Sequence, residues 1–480
     1  MAQHVIDKFL GFENKHKLYN KQILGFHYWN YIRFELYSNI ICKEHSYDNF
    51  LKIKKAPQDN KKHIIKNLII NLLKNPLFIR TKKDILILNS PRRVKKGKYY
   101  ICPYTERILR HLQYSYYVIE VPYYLYNNHH FEPVPTKNLW YMDGINCLVG
   151  WELRYLKTTQ VPKNLKAEIK NIIKALNAEF EMNFEVNKLI SHITYYFNRY
   201  IIMKKYIRFI LKKIKPKCVI EVNAYSFENM VITEVAKELG IKTIELQHGV
   251  IGKYHIAYNY YNKPKIKNFV DYIFVFGDYW KNATRFPINQ QRIFTVGYPE
   301  FEKEVCNKKK KKDTYKKVIL FLSDALFYKE FSALALDLFN KIDHEKYEII
   351  FKLHPIEYGI AKRRYSQLYS SDIKVIDNNS HDLYYYLSHA DYQVGMCSTA
   401  IYEGVGFGLK TFIVNRKGHE IMEDLIKENY AYLIDNSEDI ICYLNKENTT
   451  SNLWNNYTEY FWESNSINKI NTILKEIIRN

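Results

Sequence analysis

Cysteine is sparse in this 480-residue chain. The seven residues, Cys42, Cys102, Cys147, Cys218, Cys306, Cys397 and Cys442, are odd in number and never form a C-x-x-C pair. Neither a disulfide framework nor a zinc site is supported; a reduced, cytoplasmic protein is expected. No run approaches the ~20 apolar residues that span a bilayer. The opening MAQHVIDKFLGFENKHK lacks the basic-then-apolar pattern of a signal peptide, so neither export nor a membrane-threaded segment is expected. Neither G-x-G-x-x-G nor G-x-x-x-x-G-K-S/T occurs, so hydride transfer and P-loop hydrolysis lack their signatures. No Asp-x-Asp triplet stands at a strand end, and the expectation is a metal-independent protein without a cofactor. Zinc-finger spacing, a heptad zipper and an RNP-like aromatic signature are also missing, which argues against nucleic acid as a partner.

What is present is apolar and basic. Hydrophobic residues make up 47% of the chain and the formal charge is +22, enough for two or three domains with real cores. Lysine, asparagine, isoleucine and tyrosine are spread throughout, so solvated lysines account for much of the charge. The functional reading of the remainder is an enzyme that handles phosphorylated substrates near an anionic membrane face.

Apolar spacing near the helix period in FHYWNYIRFELYSNIICKE and HIIKNLIINLLKN predicts a helical extension over residues 1–80. Short apolar runs then begin at DILILNS and YYVIEVPYYLY. From CVIEV the pattern is a β-α-β unit, with Ser226 capping a helix, Gly240 ending it and a strand over 242–247. Further strands follow at DYIFVFG and RIFTVGYP. The stretch 302–317 carries five consecutive lysines, Lys308 to Lys312, without apolar periodicity, and reads as a linker. Beyond it VILFL, YEIIFKL, IKVI, DYQVGM and KTFIV alternate with helical stretches, the signature of a doubly wound parallel sheet.

In such sheets ligands sit outside the carboxyl ends of the strands, so the residues there are the candidates. In the second half these are Ser323 and Asp324, then His354 and Pro355 in FKLHP, then Ser398 and Thr399 in MCSTAIYEG. The turn before Pro355 leaves the imidazole few orientations. Ser398 and Thr399 open a helix whose free N–H groups make an anion site. Glu403 is one position too late for a capping box from Thr399; a ribose contact and a plain helix-surface carboxylate are equal readings of it. Lys352, in the strand before His354, can supply positive charge. In the first half Glu221, Asn223 and Ser226 follow one strand, and Gln247, His248 and Gly249 the next. These would line the opposite wall of a cleft between two Rossmann-like domains.

QHG in the first half, KLHP after a strand of the second and CSTAIYEGVGFGLKTFIV after a later one resemble the GT-B-type transferases of bacterial surface polysaccharide synthesis. That group includes the H-P-motif capsule, polysialyl and Kdo transferases and the CDP-glycerol glycerophosphotransferases. The resemblance spans roughly residues 215 to 430. It implies a donor domain in which His354 and Ser398–Thr399 bind the phosphates of a CMP-, UDP- or GDP-sugar and Glu403 meets the nucleoside. The general base is open among His248, Asp143 of YMDGIN and Glu221; Gln247-His248-Gly249 stands where the glycerophosphotransferases have W-H-G. The expected architecture is α/β: a helical extension (1–80), an acceptor domain (81–305), a basic linker (306–317), a donor domain (318–465) and a terminal helix (466–480) packing back on the first domain. The implied partners are a nucleotide-sugar, a glycan or lipid-linked glycan acceptor, and the anionic inner membrane face. A polyol-phosphate transferase, a non-hydrolysing UDP-sugar epimerase and a non-enzymatic RNA- or membrane-binding protein are the alternatives.

Overall fold

A computed structural model describes residues 2–44, 73–123, 130–155, 159–308, 316–446 and 458–479. The chain divides into two compact units, Gln3–Pro299 with Asn465–Asn480 and Glu300–Ser464. Each is built on one parallel sheet.

In the first unit, β1 (Ile85–Asn89) lies inside the sheet. A small antiparallel hairpin, β2 (Val94–Lys96) and β3 (Tyr99–Ile101), follows it. The remaining strands are β4 (Tyr116–Glu120), β5 (Leu139–Tyr141), β6 (Cys218–Val222), β7 (Lys242–Leu246), β8 (Tyr272–Val275) and β9 (Ile293–Thr295). The order is β5-β4-β1-β6-β7-β8-β9, every pair parallel. The chain thus winds to one side of β1 and then crosses to the other, which makes the β1/β6 boundary a topological switch point. The second unit repeats the plan with β10 (Lys317–Leu322), β11 (Tyr347–Lys352), β12 (Lys374–Ile376), β13 (Tyr392–Gly395), β14 (Lys410–Val414) and β15 (Ala431–Ile434), ordered β12-β11-β10-β13-β14-β15. Its switch point lies between β10 and β13. Both sheets are Rossmann-like, as the alternation of apolar strands and helices predicts.

Near-continuous burial along β1, β6, β10, β13 and β14 follows from helices covering both faces. One core of the first unit combines Ile87, Val118, Ile220, Ile244 and Phe274 with Ile470, Leu474 and Ile477 of the helix Ser466–Arg479. Residues read as the start of a linker are helical instead: Pro299–Lys308 forms a helix, started by a proline that is pre-set for a first turn and by Glu300 and Glu302 at its positive end. The units divide at 299/300. Residues 309–315, with most of the lysine run, lie outside the described residues, as does most of HIIKNLIINLLKN.

The helical N-terminal region, Ala2–Lys15 and Tyr28–Glu44, is bound in by a buried ion pair. Glu13 accepts hydrogen bonds from Tyr19 Oη (2.5 Å), Trp29 Nε1 (2.6 Å), Arg33 Nε (2.7 Å) and Arg33 Nη2 (2.8 Å). Arg33 also donates to the carbonyls of Ile256 and Asn259, while its guanidinium lies 4.3 Å over the Tyr260 ring. Burial opposes the Arg33 charge, but Glu13 outweighs it and raises the guanidinium pKa. Arg33→Ala leaves the Glu13 carboxyl buried without its ion-pair partner, and should destabilise the protein by roughly 3 to 5 kcal/mol. Denaturant unfolding checks this: the double change Glu13→Gln/Arg33→Met should be closer to wild type than either single change.

Candidate functional site

The carboxyl edge of the second sheet gathers the residues expected at the donor site around β10. Ser323, one residue past β10, donates to Glu357 Oε2 (2.6 Å) and accepts from the His354 backbone N–H (2.8 Å). His354 leaves β11 and caps the short helix Pro355–Ile360: its Nδ1 accepts from the Ile356 N–H (3.3 Å), and Glu357 Oε2 receives the His354 N–H (3.3 Å). Glu357 is buried and also takes Tyr365 Oη and Arg364 Nη1. An acceptor role for Nδ1 places the neutral ring's proton on Nε2, and the residue is exposed. Ser323 therefore holds the turn, and His354 presents a donor.

On the other side of β10, Ser398 follows β13 and accepts the Ala400 N–H (3.2 Å), capping the helix Thr399–Gly406. Cys397 Sγ meets Asp324 Oδ2 at 3.8 Å across the switch point, and Asp324 in turn receives the Leu326 N–H (2.9 Å). Burial raises the Asp324 carboxyl. Glu403 faces Tyr384 Oη (2.9 Å), further along the helix. That helix seats closely because Gly404 lies where a Cβ would come within 2.0 Å of Gln393 Oε1. Lys352 is not displayed at this edge. It is buried, donates to Tyr358 Oη (2.5 Å) and the Leu353 carbonyl (3.1 Å), and burial lowers it to about 8. Pro355 is exposed beside His354 at the first position of the Pro355–Ile360 helix.

In the first unit, His248 follows β7 and keeps 19% of its side-chain surface. Its Nε2 lies 3.5 Å from Tyr225 Oη, its Nδ1 lies 3.8 Å from Glu245 Oε1, and Tyr104 meets the ring edge-on. Burial, with the charges of His255 and Arg92, lowers it to about 3. The ring is therefore neutral at neutral pH. Glu245, buried in β7, accepts from Tyr258 Oη (2.5 Å) and the Ala224 N–H (3.0 Å) and is raised by burial to about 7. It lines a cavity of about 40 Å³ together with Arg33, Phe34, Tyr225 and Tyr258. Neighbouring Gln247 ties strand ends together, its amide accepting from the Phe276 N–H (2.8 Å) and donating to the Gly249 carbonyl (2.9 Å); this commits it to structure rather than to an acceptor. Asn223 takes a left-handed conformation (φ 66°), which asparagine tolerates, and its Oδ1 is buried without a hydrogen-bond partner.

Asp143 sits in a separate cluster at the ends of β1, β4 and β5. His130 Nε2 lies 2.8 Å from Asp143 Oδ2, His130 Nδ1 lies 3.6 Å from Glu120 Oε1, and the imidazole stacks on Tyr141 at 3.7 Å. Arg93 Nη2 (2.7 Å) and Asn89 Nδ2 (2.7 Å) bind Glu120 from the other side. Burial opposes the His130 charge, but the two carboxylates prevail and raise it above the ordinary imidazole range. Glu221 belongs to neither group. It lies within β6 rather than after it, fully buried against Thr233 Oγ1 (2.5 Å), and burial raises it well above the carboxylate range. A neutral carboxyl facing a covering helix cannot take a proton from a ligand at the strand ends, so the catalytic assignment of Glu221 does not fit its position.

Glu120, His130, Arg93 and Glu245 were not among the candidates. A signal existed: YYVIE, CVIEV and KTIEL each place a glutamate inside an apolar strand. Among the described residues no three His, Cys, Asp or Glu side chains are grouped to hold a metal ion.

No family model and no curated protein matches the chain. Solved structures do. A putative UDP-N-acetylglucosamine 2-epimerase from Listeria monocytogenes is 9% identical, with a TM-score of 0.50 and coverage of 83% of this chain and 97% of its own. The UDP-GlcNAc 2-epimerase of Methanocaldococcus jannaschii is 15% identical, with a TM-score of 0.49 and coverage of 82% and 99%. A glycosyltransferase from Rickettsia africae is 15% identical, with a TM-score of 0.43 and coverage of 84% and 100%. The likeness at 0.50 establishes a shared fold: two Rossmann-like sheets of GT-B type.

The Glu245 shift carries a sign. Between its ordinary 4.5 and about 7, the unfolded chain has released a proton that the folded chain retains, so stability falls as pH rises across that window. Glu245→Gln should flatten it, and wild type should lose up to about 3 kcal/mol more than the variant. Urea unfolding at the two ends of the window measures the difference.

Proposed function

We propose that the protein is a glycosyltransferase that moves a sugar from a nucleotide-sugar to a surface glycan, capsular or lipopolysaccharide, with a glycan or lipid-linked glycan as acceptor. The observation that supports it most is the second sheet's edge: an exposed His354 set in its turn by Ser323 and Glu357, with the capped N-terminus of the Thr399–Gly406 helix across β10. His354 Nε2–H and the helix N–H groups of that edge suit a diphosphate or monophosphate. As the sugar–phosphate bond breaks, the departing nucleotide gains negative charge that these donors stabilise. No metal is assigned to that step, and a peripheral place at the inner membrane face suits a lipid-linked acceptor.

His248 is assigned as the base that takes the acceptor hydroxyl's proton. The neutral ring has a lone pair available, and the ionised form of Glu245, 3.8 Å from Nδ1, offsets the imidazolium as it forms. Asp143 is the competing base, already engaged by His130. A sugar-nucleotide epimerase on this fold is the second reading, supported by what the Listeria structure is named; product analysis with a panel of nucleotide-sugars, with and without glycan acceptors, separates the two.

Two measurements test the assignment. In a thermal-shift screen against CMP, CDP, UDP and GDP, one nucleotide should raise the melting temperature by mass action. His354→Ala should weaken that ligand by roughly 1 to 3 kcal/mol while the fold persists. His248→Ala should keep nucleotide affinity and melting temperature while lowering turnover roughly 10²- to 10⁴-fold. Near-normal turnover in a folded His248→Ala, with collapse in Asp143→Asn, moves the base to Asp143.

A further inference from the structure

We propose that the first unit docks on an anionic lipid surface through the outer faces of the helices Asp143–Tyr155 and Val186–Ile214, a reading that does not rest on the donor assignment. The long helix buries Met203, Ile207, Ile210, Leu211 and Ile214. The opposite stripe, at i, i+4, i+8 and i+11, is Ile201, Lys205, Phe209 and Lys212, all exposed. Phe209 is 52% exposed. Beside it, the shorter helix turns outward Trp151 (56% exposed) and Tyr155 (65% exposed), rings 5.7 Å apart. The two helices meet between them, where Glu152 takes Tyr206 Oη and lies 3.7 Å from Lys205. The surface continues from Phe209 through Lys213, which lies 5.2 Å over the Phe209 ring and donates to the Leu77 carbonyl (2.9 Å), to exposed Phe78.

Single exposed apolar residues are ordinary, but large aromatic side chains grouped in one place are not. Charge identifies the occupant. Residues 201–217 contain seven lysines and arginines and 73–83 contain four, with no aspartate or glutamate in either stretch. Glu152, Glu234, Glu238 and Asp84 offset part of this from neighbouring elements, pairing with Lys204, Lys205, Arg208 and Lys217 and leaving Lys212, Lys213 and Lys215 as the charge that faces a partner. Aromatic side chains set among lysines on a convex helix face are the chemistry of a bilayer interface: the rings enter the headgroup layer and the cations meet lipid phosphates. Single-stranded nucleic acid also takes aromatics and cations, but along a groove that tracks the backbone, and this face is the outside of two helices. Among the described residues no helix is long and apolar enough to cross the membrane, so the contact is a surface one.

The test is co-sedimentation of the full chain with vesicles of equimolar phosphatidylglycerol and phosphatidylcholine, against pure phosphatidylcholine. Binding should be at least about 10-fold tighter to the anionic vesicles and should weaken as ionic strength rises from about 0.1 M to about 1 M. Lys205→Glu/Lys212→Glu, and separately Trp151→Ala/Tyr155→Ala/Phe209→Ala, should each reduce it at least about 10-fold, with melting temperature and nucleotide shift unchanged. If either variant fails to fold, Lys205→Gln/Lys212→Gln replaces it. No binding to anionic vesicles, equal binding to neutral ones, or undiminished binding by the folded variants overturns the proposal. So does tighter binding to an RNA oligonucleotide that the same substitutions abolish. A chain that binds no nucleotide yet passes the vesicle test leaves this inference standing and removes the proposed function.

Discussion

One carboxylate without solvent contact, Glu13, organises much of the first unit. Its four hydrogen bonds draw Tyr19, Trp29 and Arg33 together. Through Arg33 they also fix the loop that carries Ile256 and Asn259. That loop places Tyr258 on Glu245 and His255 against Tyr225. The N-terminal helical region, which has no chemical motif of its own, therefore decides how the surroundings of His248 are packed. A buried ion pair adds little net stability against an apolar replacement. Its value here is positional, because a guanidinium that must satisfy both a carboxylate and two carbonyls has few alternative placements.

Three glutamates in adjacent regions of the same sheet show how surroundings set the charge of chemically identical groups. Glu120 meets Arg93 and His130; burial alone would raise it, but these partners lower it and keep it ionised. Glu221 has one hydroxyl donor and is raised well above its ordinary range, so it stays neutral. Glu245, in register with Glu221 across the β6/β7 pair, has a phenol and an amide and lies near 7. Sequence spacing alone cannot rank these environments, because the partners come from other strands, helices and loops rather than from adjacent residues.

That dependence explains what was legible beforehand and what was not. Strands such as VILFL and KTFIV announce themselves by apolar runs bounded by polar residues, and the cap at Ser398 is a local feature, so the Rossmann-like character of the second unit was readable. So was the placement of His354 after a strand. Arg33 meets Ile256 across 223 positions, and the sequence between Glu120 and His130 has no apolar periodicity, so neither pairing leaves a local trace. Glu221 was misplaced because β6 continues one residue beyond it to Val222; a shift of one position at a strand end exchanges a ligand-facing residue for a core one. Gln247 misled in another way, since a polar residue at a strand end looks the same whether it binds a ligand or a neighbouring strand.

The helix Ser466–Arg479 inserts Ile470, Leu474 and Ile477 into the core of the unit that starts near residue 3. During synthesis on a ribosome the two units are therefore not completed in the order in which they begin. The first sheet has all its strands by residue 295, yet one wall of its hydrophobic interior stays uncovered while the whole of 300–464 is made. At elongation speeds of about 5 to 20 residues per second, that interval lasts on the order of 10 to 30 seconds. Throughout it, an apolar surface that the finished protein conceals is open to chaperones and to other nascent chains.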